Sequence, residues 1–152
     1  MRVTGAHHTS YAVSDLERSL EFYAGMLGCE VLWQREIGNQ YFRDIVGFPD
    51  CEVRAAHLAI PGSEHVIELF EYVSPNGQPM DLRPNNPGSS HIAFIVEDLN
   101  AAYEELEARG VNFRSPPVAI DAGVNKGGYA VYLLDPDGIT MELFQPPKGG
   151  VA

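Results

Sequence analysis

Positive charge is scarce in this chain. Ten lysines and arginines stand against 21 aspartates and glutamates, giving a formal net charge of −11 and a pI near 4.7. Such a field repels a phosphate backbone and an anionic bilayer surface, so neither nucleic acid nor membrane is an expected partner. A small anionic substrate remains compatible with it, because a few local basic residues can still line a pocket. Cysteine is equally sparse. Cys29 and Cys51 stand alone, in no CxxC spacing, and make neither a disulfide framework nor a zinc knuckle. They read as small buried or half-buried thiols in a reducing cytosol. Long apolar runs are missing too, with nothing near the ~18 residues of a membrane span. The opening MRVTGAHHTSYAV has no signal-like hydrophobic segment, so a cytoplasmic location is expected. What remains is ordinary for one globular domain over 1–152, with 45% hydrophobic and 20% charged residues. A chain of this size buries roughly 68–70% of the surface it exposes when unfolded, enough for a real core.

The informative feature is an internal repeat. His8 is followed seven residues later by Asp15-Leu16, and His91 seven residues later by Asp98-Leu99. Each Asp-Leu opens a helical pattern, with Leu16, Leu20, Tyr23 and Leu27 in the first and Leu99, Ala102, Tyr103 and Leu106 in the second. Asp15 and Asp98 are natural N-caps, since a carboxylate there accepts from the first free N–H groups. Gly28 and Gly110 follow the helices where a left-handed residue is often required. The halves also end alike, Val66-Ile67-Glu68-Leu69-Phe70 matching Thr140-Met141-Glu142-Leu143-Phe144. The spacing predicts strands near 6–13, 30–37, 53–60 and 65–72, then 90–97, 112–114, 127–134 and 139–145, with helices near 15–27 and 98–109. This is βαβββ twice: a first module over about 5–73, a Pro- and Gly-rich linker over about 74–89, and a second module over about 90–146. Asp135-Pro136-Asp137-Gly138 predicts a turn between the last two strands. Gln34–Asp50 is less regular and reads as a lid or pocket wall. The expected class is α+β, with a curved mixed sheet that packs its helices outside and keeps its concave face for a ligand.

Four residues occupy equivalent places in the two halves: His8 and Glu68, His91 and Glu142. If the halves are related by a pseudo-twofold, two imidazoles and two carboxylates converge, a mixed N/O donor set suited to a divalent first-row metal and unlike a structural zinc site. Each residue alone has a plainer explanation, a hydrogen-bonded strand histidine or a solvated glutamate. Recurrence of the pair at the same slot is what favours a ligand set. His7, His57 and His65 have no repeat partner and read as structural or surface residues, with His7 on the opposite strand face from His8.

The segments HTSYAVSDLERSLEFY (8–23), Val66–Phe70, His91–Leu99 and YLLDPDGITMELF (132–144) resemble the vicinal oxygen chelate superfamily, the glyoxalase, bleomycin-resistance and extradiol-dioxygenase group. The resemblance spans nearly the whole chain. It implies paired βαβββ modules around a metal-binding cleft, with metal at His8, Glu68, His91 and Glu142, as in glyoxalase I-like and methylmalonyl-CoA epimerase-like members. One divalent ion per site (Ni, Co, Zn, Mn or Fe) and a homodimer are implied with it. The complete ligand set favours an enzyme over the non-catalytic antibiotic-binding members. The implied chemistry is proton transfer through a metal-stabilised enediolate or enolate on a small oxygenated substrate, as lyase, isomerase or epimerase, with Glu142 as first candidate base and Glu68 as second. Some positions depart from subfamily patterns. Ala12 stands where bacterial glyoxalase I-like members carry a glutathione-holding Arg, and Tyr72 where they often carry Asn. No acid lies in Arg54–Ile60, where epimerase-like members place an opposing base, although Glu52 is near. Tyr132, Asp135, Pro136, Gly138 and Glu142 fit the end of the extradiol dioxygenase signature, but its preceding His is absent, with Asn125 nearest. Ring-cleaving dioxygenase and drug-binding protein therefore stand as the alternatives. Arg43, Arg54 and Lys126 are candidate contacts to a substrate carboxylate or phosphate, or else surface cations. Tyr129, Tyr132 and Trp33 are candidate pocket walls, or else core aromatics.

Overall fold

The computed structural model of the protein describes residues 2–149. The chain falls into two compact units, Met1–Pro79 and Met80–Ala152, with the division inside the segment expected as the linker.

In the first unit the order is β1 (His8–Ala12), α1 (Leu16–Tyr23), β2 (Glu30–Ile37), α2 (Gln40–Val46), β3 (Glu52–Ala59) and β4 (Val66–Ser74). Its four-stranded sheet runs β1-β4-β3-β2. β1 is parallel to β4, and the other pairs are antiparallel. The second unit runs β5 (Ala93–Ile95), α3 (Leu99–Ala108), β6 (Asn112–Phe113), β7 (Val118–Ala119), β8 (Tyr129–Leu134) and β9 (Thr140–Gln145). Its sheet runs β5-β9-β8-β6, with β7 also on β8, and here β5 is parallel to β9. The expected βαβββ is thus present in each unit. The fold is α+β with two mixed sheets, one per unit. Two short elements, α2 and β7, were not expected.

The helices are placed by the residues that start them. The Asp15 side chain accepts from Arg18 N, and the Asp98 side chain from Ala101 N. A second acceptor comes from the sheet: Leu16 N donates to Glu71 Oε2 at 2.9 Å and Leu99 N to Gln145 Oε1 at 2.8 Å. Glu71 and Gln145 each lie three residues beyond Glu68 and Glu142, so the same tether recurs in both units. Each helix then buries one face on its sheet. Leu16 and Tyr23 of α1, and Leu99 of α3, are fully buried. α1 ends at Tyr23 rather than near 27 because the ladder slips: Gly25 N and Leu27 N reach back five residues, to Leu20 O and Phe22 O. α3 ends at Ala108 with Arg109 as its C-cap, and Gly110 follows with φ 86°, a left-handed position that favours glycine.

Strand alternation sets the faces of both sheets. In β4, Ile67 and Leu69 are fully buried under the helix, so Glu68 between them turns to the other face. In β9, Met141 and Leu143 are buried and Glu142 turns away in the same manner. The irregular stretch after β2 resolves into α2. Asn39 caps it and Gly47, at φ 76°, ends it. Its Phe42 joins Ile37, Cys51, Val53 and Ala55 in a small core against Trp33, Phe70 and Tyr72. That stretch is therefore a packed wall on the Glu68 face of the first sheet. The Asp135–Gly138 turn forms as expected, with Asp135 Oδ1 accepting from Asp137 N and Ile139 N at 2.9 and 2.7 Å. Among the described residues no helix is long and apolar enough to cross a membrane.

The Glu71 tether carries a prediction. Glu71→Ala removes the acceptor of Leu16 N together with the partner of Arg54, and is expected to lower stability by about 1–3 kcal/mol. Gln145→Ala loses a neutral acceptor and is expected to cost about 1 kcal/mol. The urea-unfolding midpoints of the two variants measure the difference.

Candidate metal centre

The register of the strands fixes where each candidate ligand lies. On β4, Glu68 pairs with Ser10 of β1, so His8 stands two residues before the partner of Glu68 and shares its face. On β9, Glu142 pairs with Ala93 of β5, and His91 stands two residues before Ala93. β5 itself begins later than expected, at Ala93, so His91 precedes the strand. The Glu142 N–H to Ile92 O bond of 3.0 Å still holds that approach in line. The two His–Glu pairs thus occupy matching positions on two separate sheets.

In the first unit, His8 Nε2 lies 3.6 Å from Glu68 Oε2. In the second, His91 Nε2 lies 3.0 Å from Glu142 Oε2. The carboxylates are sheltered, at 13% and 17% exposure, while the imidazoles are about 40% exposed. Each pair is a nitrogen and an oxygen donor at the surface of its sheet. Among the described residues no group of three or more His, Cys, Asp or Glu side chains is placed to hold a metal ion. Each unit taken by itself brings one imidazole and one carboxylate together. The donor chemistry fits a divalent first-row ion, and no thiolate competes. Cys29 and Cys51 are free and buried, and burial pushes the Cys29 thiol up to about 11.

The remaining histidines of the first unit lie near the His8–Glu68 pair or beside β1. His57 Nε2 lies 2.6 Å from Glu68 Oε1, and its ring packs 4.1 Å from that of Trp33. His57 is thus a packed, hydrogen-bonded histidine, in keeping with its structural reading, and what the repeat does not show is its place beside Glu68, because its counterpart in the second unit is a tyrosine. His57 is the cross-strand partner of Glu68, and Tyr132 the cross-strand partner of Glu142. His57 precedes its glutamate by eleven residues and Tyr132 by ten. This one-residue difference in hairpin length hides the match from an aligned repeat. Strand pairing across the hairpin is the signal that finds it. His7 is exposed, as a surface residue is expected to be, and only its placement by strand alternation changes. It precedes β1, so strand alternation does not govern it, and its Nδ1 meets His8 Nδ1 at 2.8 Å. His65 meets Thr9 Oγ1 at 2.9 Å.

The candidate substrate contacts separate. Tyr132 shares the Glu142 face, its ring 4.9 Å from His91, whereas Tyr129 pairs with Gln145 and takes the helix-side parity. Trp33 lies beside His57, with the Arg35 guanidinium 4.2 Å over its ring. Arg54 is on the helix side of the first sheet, paired to Glu71 and Glu17 at 3.0 Å each. Arg43 Nε donates to Cys51 O at 3.2 Å, closing the α2 wall. Lys126 is exposed in the turn before β8, where its N–H donates to Gly123 O. Tyr72 packs against Phe48 and Phe70, and burial raises its phenol above the ordinary range.

Comparison with known proteins adds three findings. The family model of the Glyoxalase/Bleomycin resistance protein/Dioxygenase superfamily matches residues 5–143. Among named relatives, a 2-epi-5-epi-valiolone epimerase from Actinomyces sp is 33% identical over 147 residues, 94% of this chain and 80% of the relative. A lactoylglutathione lyase from Pseudomonas aeruginosa is 30% identical over 154 residues, 95% of this chain and 84% of the relative. Among solved structures, a glyoxalase family protein from Bacillus cereus superposes with a TM-score of 0.84 at 17% identity, over 97% of both chains, a likeness of fold.

The burial of both thiols gives a check on this donor set. Native protein at pH 8 is expected to leave Cys29 and Cys51 unmodified by a disulfide reagent such as DTNB. Both should react after unfolding in urea. A thiol that reacts in the native state would put sulfur back among the candidate ligands.

Proposed function

This chain belongs to the glyoxalase/bleomycin resistance protein/dioxygenase superfamily, and we propose that it is a divalent-metal-dependent enzyme that moves a proton to and from the carbon beside a carbonyl of a small oxygenated substrate. The reaction class is lyase, isomerase or epimerase. The ligands are His8, Glu68, His91 and Glu142, and a homodimer is part of the same reading. The observation that carries the proposal is the repetition of the His–Glu pair at one register position in both units, each with its carboxylate turned out of the core by buried neighbours.

A divalent ion bound by these residues supplies Lewis-acid stabilisation of the negative charge that develops on a substrate oxygen. The chain itself has to supply the base. Glu142 is that base. Its carboxylate is sheltered and among the described residues meets one polar side chain, His91, so it can turn toward a C–H bond without breaking a second contact. Removal of the proton leaves an enolate or enediolate. Return of the proton to the same carbon gives epimerisation, and return to the neighbouring carbon gives isomerisation. His91, 3.0 Å away, holds the carboxylate in range. Tyr132 offers an aromatic wall beside it. Glu68 is the second carboxylate and is assigned to the ligand role.

The named relatives include both an epimerase and lyases, which supports proton transfer as the common chemistry. The substrate proposed here is a small hydroxyketone or related oxygenated molecule, not a glutathione adduct. Ala12 has no cation to offer a glutathione carboxylate, and Tyr72 is packed into the aromatic wall of the first unit.

Elemental mass spectrometry on purified protein tests the ligand set. About one divalent ion per chain is expected, with loss of the ion in both His8→Ala and His91→Ala. A wild-type protein that stays metal-free after reloading overturns the proposal. Proton transfer is read separately, by NMR of solvent deuterium entering the carbon beside the carbonyl in a panel of hydroxyketones. Glu142→Gln is expected to keep its metal and lose exchange by roughly 100- to 10,000-fold. Full exchange in that variant would remove Glu142 as the base.

A further inference from the structure

The two carboxylates sit in matching slots, but their surroundings differ. Glu68 divides its oxygens between two histidines: Oε1 is 2.6 Å from His57 Nε2 and Oε2 is 3.6 Å from His8 Nε2. An ionised carboxylate only accepts, so the short contact requires the His57 Nε2–H to be the donor. His57 is itself held. Its side chain is 15% exposed, its ring lies 4.1 Å from Trp33 at a 31° tilt, and Arg35 covers the Trp33 ring. The row Arg35–Trp33–His57–Glu68 is thus a packed stack on one sheet face. In the second unit the slot facing Glu142 holds Tyr132. Its ring turns toward His91, and among the described residues Glu142 receives no clamp of the His57 kind.

We propose that His57 is a positioning residue that locks the Glu68 carboxylate by its Oε1, presenting Oε2 as a fixed metal ligand, and that its replacement by Tyr132 in the second unit leaves Glu142 as the carboxylate free to move. This rests on the metal reading above and deepens it. A ligand oxygen already hydrogen-bonded through its partner oxygen loses less freedom on binding an ion, and loss of such outer contacts costs affinity without removing a ligand. A carboxylate without that clamp would be the one able to turn toward a substrate C–H bond and take its proton, whereas a clamped one would serve as a fixed ligand. The repeat therefore divides labour between two otherwise equivalent glutamates through one cross-strand neighbour each.

The test uses the full-length protein loaded with Co2+, whose visible absorption reports the ligand field and whose affinity is read by competition with a chelator. His57→Leu is expected to weaken Co2+ binding about 10- to 100-fold and to shift the spectrum, with His57→Ser as the substitute should the leucine variant misfold. His57→Gln, which keeps an N–H donor, is expected to bind within about threefold of wild type. Glu68→Gln is expected to weaken Co2+ binding more than Glu142→Gln. Wild-type affinity and spectrum in the leucine or serine variant overturn the positioning role. Loss in both the leucine and glutamine variants as complete as in His8→Ala also overturns it, by making His57 a ligand. Equal losses in Glu68→Gln and Glu142→Gln overturn the division between the carboxylates. Each of these leaves the metal reading standing. A wild-type protein that binds no Co2+ fails the metal reading, and the positioning role with it.

Discussion

Two buried residue pairs fix where the two repeated glutamates of this protein lie. Ile67 and Leu69 on β4, and Met141 and Leu143 on β9, are drawn under the helices by the hydrophobic effect. Strand alternation then leaves the residue between them no choice of face. A glutamate in that place is displayed on the opposite surface of the sheet at a defined height. Slipping either strand by one residue would bury a carboxylate without a partner, at a cost of several kcal/mol, and expose two large aliphatic side chains. The site is thus as firmly registered as the core beneath it. Orientation of the candidate ligands is a by-product of folding and requires no separate device.

The same strands also carry the second tether. Three residues beyond each glutamate, Glu71 and Gln145 return to the helix side and accept from the first helical N–H. One strand segment therefore presents a candidate ligand on one face and anchors the helix on the other. Arg54 reinforces the first of these by bridging Glu71 to Glu17. That commitment is why a cation expected near substrate serves the scaffold instead. Arg43 is likewise occupied by Cys51 O. Among the three candidate cations only Lys126 lies exposed in a turn.

Differences between the units are as informative as the repeat. The first inserts α2 between β2 and β3, which seals part of the Glu68 face with Phe42, Phe70 and Tyr72. The second replaces that wall with the short β7 and a Gly-rich turn before β8. His57 and Tyr132 occupy one register slot with different chemistry. A duplicated frame of this kind keeps its geometry while the residues that flank the carboxylates diverge, so equivalent positions acquire unequal roles.

Much of this was legible in the chain as written. The doubled His…Asp-Leu…Glu pattern depends on local rules, namely capping carboxylates, period-3.6 and period-2 burial, and glycine at left-handed positions. Local rules are readable from local sequence, so both βαβββ units, the helix starts at Asp15 and Asp98, the Asp135–Gly138 turn and the outward turn of Glu68 and Glu142 all follow from it. What the sequence alone could not decide depends on pairing between distant strands. The contact of His57 with Glu68 is made across a hairpin, and the division of Tyr129 from Tyr132 needs the β8–β9 register. The fate of Arg54 depends on a glutamate seventeen residues away. His7 could be placed only once β1 was seen to begin at His8. Side-chain partners brought together by tertiary packing have no periodicity of their own, and only the folded chain shows which residue each one meets.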